Sequence, residues 1–227
     1  MDQGNLKDLI VVGAGGFASE VLWVAEAMNQ SAITAGRPPL WNTLGCCVYD
    51  PSRYPSQVLS YRVLGTPEEV ANNRAGKAPH YICAIGDNRI REKEVGVVEA
   101  FGWRPVTLMH PSCQVASNAV IGPGTYVAAG SVIGPNTKIG SYVLIHYHVS
   151  VAHDSSMADF SQACPGARVS GRCKVGRSAF LGSNSTLLPK VTLGEHAVLG
   201  ANSVAISSVP PDVTAFGIPA KIVSKIP

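Results

Sequence analysis

The sequence predicts two architectures in one chain, an α/β unit followed by a β-solenoid of short strands. A six-residue hydrophobic period through the second half of the 227 residues predicts the solenoid. An apolar run, a glycine turn and a helical pattern at the start of the chain predict the α/β unit. The predicted fold class is therefore an α/β half-Rossmann N-terminal domain joined to an all-β parallel solenoid.

The six-residue period is the stronger of these signals. Every sixth residue from Met109 to Ala205 is apolar, which makes seventeen positions, and the following residue is small in 13 of 16 hexads. An α-helix cannot have this period, whereas short strands joined by tight turns can. Three hexads then form one triangular coil, whose inward side chains stack at the strand spacing of ~4.8 Å. The repeats suffice for about five such coils.

Charge density marks the boundary between the two parts. Residues 1–108 hold 10 Lys and Arg and 11 Asp and Glu, whereas residues 109–204 hold 6 and 3. We expect the α/β domain over residues 1–106, the solenoid over 107–208 and a C-terminal segment over 209–227, where the period is lost.

Composition argues against several classes of protein. The formal net charge is +3 and no run of Lys and Arg occurs, which argues against nucleic-acid binding. The N-terminus lacks the basic start of a signal peptide, and no apolar run approaches the ~20 residues of a spanning helix. We therefore expect a cytoplasmic protein without membrane insertion. The six cysteines include no C-x-x-C pair, so neither disulfides nor a structural metal is expected.

The start of the chain has the pattern of a nucleotide-binding unit. A strand is predicted over Leu9–Val12 and a helix over Phe17–Met28. Between them, Gly13-x-Gly15-x-x-Ala18 fits the dinucleotide fingerprint, in which backbone N–H groups approach phosphate at the start of the helix. An ordinary tight turn between a strand and a helix has the same pattern, so this signal does not decide alone.

Two further strands are predicted in this unit. Leu44–Asp50 ends in an acid and His80–Ile85 precedes Gly86 and Asn88, so three strand-to-helix turns converge on one sheet edge. Residues 31–42 contain Gly and Pro and are predicted to form a surface loop. The unit has room for one mononucleotide-binding half, not the two that NAD needs, which argues against a dehydrogenase.

This order of units resembles the hexapeptide-repeat sugar acetyltransferases, which modify sialic acid or nucleotide-linked amino sugars such as the bacillosamine precursor. The resemblance covers nearly the whole chain and is carried by the motifs VVGAGG, VYD, AIGDNRIREK, MHPS, AHD, PGA, FLGSNS and GIPAK. It implies a left-handed parallel β-helix and a homotrimer with active sites between subunits. It also implies acetyl-coenzyme A as co-substrate, and no metal.

A histidine cluster supplies the candidate for the chemistry. His146, His148 and His153 lie within eight residues of each other. The resemblance makes His153 the general base and Asp154 the carboxylate that orients it, because an imidazole can take a proton from an attacking amine or hydroxyl near neutral pH. His148 is expected to be a solvated turn residue. His146 occupies a position where most hexads have a small residue.

The resemblance also implies which residues bind the two substrates. Gly171 would place its backbone N–H near the thioester carbonyl. The acyl-coenzyme A set is Gln162, Gly171, Ser183, Ala201, Gly217, Ile218, Pro219 and Lys221. The nucleotide-sugar set is Gly13, Gly15, Gly16, Phe17, Asp50, Gly86, Asn88 and His146. Three positions depart from the family, since Phe17 and Gln162 stand where relatives often have histidine and His146 stands where the bacillosamine type has asparagine.

The predicted reaction is N-acetylation of a nucleotide-linked amino sugar by direct transfer in a ternary complex. O-acetylation of a sugar of the sialic acid type is one alternative, and a non-catalytic nucleotide-sugar-binding scaffold is another. A γ-type carbonic anhydrase shares the β-helix and spaces two histidines by five, as His148 and His153 are spaced. It needs a third histidine two coils earlier, where this chain has Ser112.

Overall fold

The computed structural model describes residues 6–74 and 77–225. The chain divides into two compact units, Met1–Pro111 and Ser112–Pro227. No helix in the described part of the chain is both long enough and apolar enough to cross a membrane.

The first unit has an α/β architecture. Its strands are β1 (Lys7–Val12), β2 (Trp41–Cys47), β3 (Gln57–Val58), β4 (Tyr61–Arg62), β5 (His80–Cys83), β6 (Arg104–Pro105) and β7 (Leu108–Met109). Its helices are α1 (Gly16–Thr34), α2 (Pro67–Asn73) and α3 (Asn88–Ala100), with a 3₁₀ helix at Pro51–Arg53. Strands β2, β1, β5 and β6 form a parallel sheet in that order, and β3 and β4 form an antiparallel pair.

The predicted strand, glycine turn and helix at the start of the chain are confirmed. The apolar residues of β1 from Leu9 to Val12 are at most 1% exposed, as expected for a central parallel strand covered on both faces. Helix α1 continues to Thr34, and β2 begins at Trp41 rather than Leu44. The predicted loop over residues 31–42 is therefore too long, because only residues 35–40 connect the two elements.

Helix α2 was not predicted, although a local signal for it exists. The Thr66 side chain accepts a hydrogen bond from the Glu69 N–H (3.2 Å), and the Glu69 carboxylate accepts one from the Thr66 N–H (2.8 Å). Pro67 occupies the first turn, where its missing N–H costs nothing. This reciprocal capping box could have been recognised in the sequence T-P-E-E.

The second unit is a left-handed parallel β-helix with three faces of two-residue strands. The first face contains Gln114–Val115, Val132–Ile133, Ser150–Val151, Arg168–Val169, Thr186–Leu187 and Val204–Ala205. The second face contains Val120–Ile121, Lys138–Ile139, Ser156–Met157, Lys174–Val175 and Thr192–Leu193. The third face contains Tyr126–Val127, Leu144–Ile145, Gln162–Ala163, Phe180–Leu181, Val198–Leu199 and Val213–Gly217, the last paired antiparallel with Ala220–Lys225.

The turns between these faces define three edges of the β-helix. We call the turns from the first face to the second the first edge, those from the second to the third the second edge, and those from the third to the first the third edge. Residues 18 apart pair across successive coils on each face, as Ser150 pairs with Arg168.

The hexad period is confirmed by the core of the β-helix. The second residue of each strand is the predicted apolar residue, and from Val127 to Ala205 these residues are at most 3% exposed. Val115, in the first coil, is 38% exposed. The period therefore reports inward-facing side chains, which stack between neighbouring coils.

The small residue that follows each apolar residue is not the residue that turns the chain. Left-handed φ occurs two residues later, for example at Asn136 (59°), His148 (55°) and Asp154 (59°). The small residue is needed because the next coil passes close by: a Cβ on Gly122 would lie 2.6 Å from the carbonyl carbon of Gly140. The hexad thus contains separate close-approach and turning positions.

The segment after Ala205 stays attached to the β-helix although its sequence loses the period. Val209 forms an isolated bridge with Leu193, and Val213–Gly217 pairs in parallel with Val198–Leu199. The chain then reverses at Ile218 and Pro219, so the predicted G-I-P-A-K motif forms the exposed turn of a terminal hairpin.

Candidate functional site

His153 lies on the first edge of the β-helix and is paired with the next residue. Its Nδ1 is 2.8 Å from Oδ2 of Asp154, and the imidazole side chain is 54% exposed. Because an ionised carboxylate can only accept hydrogen bonds, the Nδ1 atom carries the proton in this pair. In the neutral ring, Nε2 is then the proton acceptor.

Asp154 is itself held by residues one coil away. Asn136 Nδ2 donates to Asp154 Oδ1 (3.0 Å), and Asn118 Nδ2 donates to Asn136 Oδ1 (2.6 Å). Arg172 Nε lies 3.9 Å from Asp154 Oδ2. The hydrogen bond with His153, followed by that from Asn136, lowers the pKa of Asp154 below its ordinary value. A ladder of side chains at 18-residue spacing therefore fixes the carboxylate that orients the imidazole.

Gly171 leaves the space that the imidazole of His153 occupies. A Cβ at this position would lie 2.6 Å from His153 Nε2 and 2.7 Å from Cε1. The peptide lies in the turn one coil after His153, and the hydrogen bonds between coils use the neighbouring N–H groups of Ser170 and Arg172. The structure thus brings together three of the predicted residues, His153, Asp154 and Gly171.

His146 and Gln162 form a second polar group on another part of the β-helix. Gln162 is 5% exposed, with Nε2 3.1 Å from His146 Nε2 and 3.7 Å from the Cys164 sulfur. The ring of Tyr126 meets that of His146 edge to face, with centroids 6.2 Å apart. The buried Oε1 of Gln162 has no hydrogen-bond partner within the described part of the chain.

The predicted β-helix residues do not converge within one chain. His153, Asp154 and Gly171 lie in turns that follow strands of the first face, so they are on the first edge. The remaining turn residues of the prediction, His146, Ser183 and Ala201, follow strands of the third face, and they lie on the third edge. Gly217 to Lys221 belong to the terminal hairpin beside the third face. Among residues 112–225 the site is therefore divided between two edges.

The first unit contains a pocket at the carboxyl ends of its parallel strands. Its volume is about 220 Å³, and Gly13, Tyr49, Asp50, Tyr54 and Glu94 are among the residues that line it. Ligands of open α/β sheets bind at this end of the strands. Of the predicted nucleotide residues, Gly13 and Asp50 line this pocket.

Four of the predicted nucleotide residues, Gly13, Gly15, Gly16 and Phe17, belong to the turn after β1 and the start of α1. A Cβ on Gly13 would lie 2.8 Å from the Ala84 carbonyl oxygen, so this glycine permits close packing of the turn. Gly15 is the N-cap of α1, and a Cβ on Gly15 or Gly16 would meet no atom within 4 Å. Phe17 is in the first turn of α1.

Comparison with known proteins finds relatives that resemble both units. Residues 8–97 match the family described as the PglD N-terminal domain. The chain is 27% identical over 180 residues to a GDP-perosamine N-acetyltransferase of Escherichia coli O157:H7, an alignment covering 75% of this chain and 81% of that protein. The crystal structure of PerB from Caulobacter crescentus in complex with CoA and GDP-perosamine has a TM-score of 0.85 at 29% identity, covering 96% of this chain and 97% of PerB. The acetyltransferase domain of PglB from Neisseria gonorrhoeae FA1090 in complex with acetyl coenzyme A has a TM-score of 0.82 at 27% identity, covering 96% and 100%.

Over most of its length the chain is similar to sugar acetyltransferases of the hexapeptide-repeat type. The resemblance inferred from the sequence motifs is confirmed, as is the prediction that the protein is an acyltransferase. Among residues 6–74 and 77–225, no three His, Cys, Asp or Glu side chains are grouped so that they could hold a metal ion.

Sequence reasoning missed two charged residues of this acetyltransferase, both on α3. Arg91 is fully buried and donates to the Ile85 carbonyl (2.9 Å) and to Asn88 Oδ1 (2.8 Å), so it holds the turn that carries Gly86 and Asn88. Burial lowers the pKa of Arg91 to about 10. Glu94, one helical turn later, is 8% exposed and lines the pocket. The available signal was their spacing of three, which places both on one face of the helix.

Proposed function

We propose that this protein transfers the acetyl group of acetyl-coenzyme A to the amine of a nucleotide-linked amino sugar, with His153 as general base. The arrangement of His153 against Asp154 and Gly171 carries the proposal, because Asp154 holds Nδ1 while the proton-accepting Nε2 packs against the Gly171 turn. The GDP-perosamine N-acetyltransferase relative and the PerB complex with CoA and GDP-perosamine support the substrate class.

The proposed reaction moves two protons from the amino group of the sugar. An amino sugar arrives largely as an ammonium ion and loses one proton to water before attack. As the amine nitrogen attacks the thioester carbon, Nε2 of His153 accepts its next proton, and Asp154 stabilises the imidazolium that forms. The carbon–sulfur bond then breaks, and the imidazolium returns the proton to the coenzyme A sulfur. The products are the amide and free coenzyme A, and His153 is neutral again.

The oxygen of the tetrahedral intermediate needs a hydrogen-bond donor. The Gly171 N–H is the proposed donor, since it lies in the turn that also accommodates the imidazole. Donors fixed by a rigid turn need no reorganisation as negative charge develops.

Direct transfer agrees with the roles of the nearby hydroxyl and thiol groups. The Ser155 hydroxyl donates to the Ser170 carbonyl (2.8 Å) and accepts from the Cys173 N–H (3.0 Å), so it joins neighbouring coils. Burial raises the pKa of the Cys173 thiol, which disfavours the nucleophilic thiolate. Neither group is prepared to form an acyl-enzyme.

The proposed assembly is a homotrimer with active sites between subunits. The first edge of one copy would supply His153, Asp154 and Gly171. The third edge of a neighbour would supply His146, Ser183 and Ala201. Its third face and terminal hairpin would supply Gln162 and Gly217–Lys221. The division of these groups between two edges of one chain supports this assembly, since a half-exposed imidazole on a convex edge does not by itself exclude water.

The N-terminal pocket is the proposed site for the nucleotide of the acceptor sugar. Gly13 and Asp50 line it, and the turns carrying Gly15, Gly16, Phe17, Gly86 and Asn88 surround the same end of the sheet. A helix N-terminus with a glycine N-cap is suited to phosphate because its first N–H groups are free of intrahelical bonds.

Matched acceptors test the reaction. The protein is incubated with acetyl-coenzyme A and with 4-amino or 4-hydroxy nucleotide sugars, and thiol release is followed. We expect turnover with the amine. Turnover confined to hydroxyl acceptors or free sialic acid would instead establish O-acetylation, and light scattering that reports a monomer would overturn the intersubunit site.

A further inference from the structure

The N-terminal pocket contains a carboxylate that the proposed reaction does not use. Glu94 projects from α3 and is 8% exposed. Its buried Oε2 has no hydrogen-bond partner among the described residues. Burial raises the pKa of Glu94, while Lys93 acts weakly in the opposite direction. A buried carboxylate oxygen without a donor is costly, so a donor from a ligand would relieve that cost.

The pocket suits one part of a nucleotide sugar rather than the whole molecule. Its volume of about 220 Å³ is below the roughly 300–1,000 Å³ typical of sites for drug-sized ligands. Tyr49 and Tyr54 line it with large, partly exposed rings, which offer a surface for stacking a base. Burial and the charge of Glu94 raise the pKa of Tyr49 to about 12, in keeping with a ring close to this carboxylate.

We infer that this pocket recognises guanine, through hydrogen bonds from the base to the carboxylate of Glu94. The inference rests on the proposed function, in which a nucleotide anchors the amino sugar. A carboxylate has two acceptors and no donor. Guanine presents two adjacent donors, N1–H and the N2 amino group, on its Watson–Crick edge, and the two sets match in number and spacing.

The other common bases fit this carboxylate less well. Uracil and thymine have a single N3–H between two carbonyl oxygens, so one carboxylate oxygen would face another acceptor. Cytosine and adenine have an amino group beside a ring nitrogen that accepts, with the same conflict. Two hydrogen-bond acceptors buried against each other lower the affinity for these bases, so the carboxylate selects guanine over them.

The test compares GDP with IDP, which lacks only the N2 amino group of the base. Binding of GDP, IDP, UDP and dTDP to the full chain is measured by calorimetry, for the wild type and for Glu94→Gln. We expect GDP to bind most tightly, and to exceed IDP by roughly 5- to 150-fold, the range of one good bidentate base contact. Glu94→Gln should weaken GDP binding and remove most of its advantage over IDP, because the amide replaces one acceptor with a donor.

Glu99→Gln is the matched control, because it removes the same charge from an exposed position of the same helix. It should leave the order of nucleotides unchanged. Tighter binding of UDP or dTDP, equal binding of GDP and IDP by the wild type, or full retention of the GDP preference in Glu94→Gln would each overturn the inference. The wild-type comparison decides even if Glu94→Gln folds poorly.

The proposed function has a separate readout. Thiol release with a uridine-linked amino sugar, together with weak GDP binding, would preserve N-acetylation and overturn guanine recognition. A GDP preference that depends on Glu94, without thiol release from any amino sugar, would support guanine recognition and overturn the acetylation.

Discussion

The two units present their functional groups in opposite ways. On the β-helix, His153 lies on a convex edge, half exposed, and its supporting residues come from neighbouring coils. In the α/β unit, Glu94 lies inside a pocket at the strand ends, buried and with one oxygen unpartnered. The difference shows that orientation of a group and its removal from water are separate requirements. Within one chain, the β-helix orients its histidine but leaves it exposed to water, whereas the pocket removes its carboxylate from water.

This division has a consequence for function. If the edge performs the chemistry and the pocket binds the base, substitutions on the edge should change kcat without changing nucleotide affinity. Substitutions in the pocket should change nucleotide affinity first. The comparison is therefore testable with kinetics and binding measured on the same variants.

Replacement of His153 is expected to have the largest effect. His153→Ala removes the proton acceptor, so kcat should fall roughly 10²-fold or more, the usual scale for loss of a general base. GDP and coenzyme A should bind as in the wild type, as measured by calorimetry.

His196→Ala is the matched control for that variant. His196 forms a similar pair, with Nδ1 3.0 Å from Asp212 Oδ1, but it lies on the second edge. Its replacement should leave kcat unchanged. Near-wild-type turnover of His153→Ala, or an equal loss in His196→Ala, would contradict the assignment of the first edge.

Gly171→Ala tests whether the edge depends on geometry as well as on chemistry. The new Cβ would lie 2.6 Å from His153 Nε2, so the ring must move. A shift of about 1 Å in a reacting group can cost on the order of 10²-fold in rate, and we expect a loss of about 10- to 100-fold in kcat. Gly96→Ala, on the exposed side of α3 with no atom within 4 Å of the added Cβ, should retain full activity. Unchanged kcat in Gly171→Ala would show that the imidazole of His153 can move aside without loss of activity.

The two units also differ in how much the sequence reveals. In the β-helix one residue in six faces inward and residues 18 apart stack, so the period alone predicts the core and places Gly171 one coil after His153. The ladder from Asn118 through Asn136 to Asp154 has the same spacing and could have been found in the same way. The regularity of the fold makes tertiary neighbours visible in the sequence.

The α/β unit has no such regularity, and its pocket was only partly predicted. The glycine turn and Asp50 have local signatures, whereas Glu94 lines the pocket only because α3 packs beside the strand ends. In the sequence it is one of several charges in R-I-R-E-K-E, and its burial depends on the tertiary fold. The division of the β-helix groups between two edges also depends on which face each strand joins.

A smaller effect is expected from the residue behind Asp154. Asn136 positions the carboxylate through one hydrogen bond of 3.0 Å, so Asn136→Ala should lower kcat by a few-fold, or ~1 kcal/mol in the barrier. KM for both substrates should not change, which separates positioning from binding. Asn136→Gln and Asn136→Ala should differ if the amide matters, since only the former can restore a donor. A change confined to KM would contradict the positioning role.

The smallest expected effect concerns the stability of the pocket as a function of pH. The folded-state pKa of Glu94 is raised, so the folded protein binds this proton more tightly than the unfolded chain. The free energy of unfolding of the wild type should therefore fall as pH rises from the ordinary Glu value of about 4.3 through the raised folded value, and the loss persists above it. Glu94→Gln has no such proton, so without nucleotide it should melt at a higher temperature than the wild type at neutral pH, and the difference should shrink as the pH is lowered. GDP should stabilise the wild type more than Glu94→Gln. A stability difference independent of pH would mean that Glu94 bears no buried charge in the free protein, which would remove the contrast between a buried pocket carboxylate and the exposed first edge.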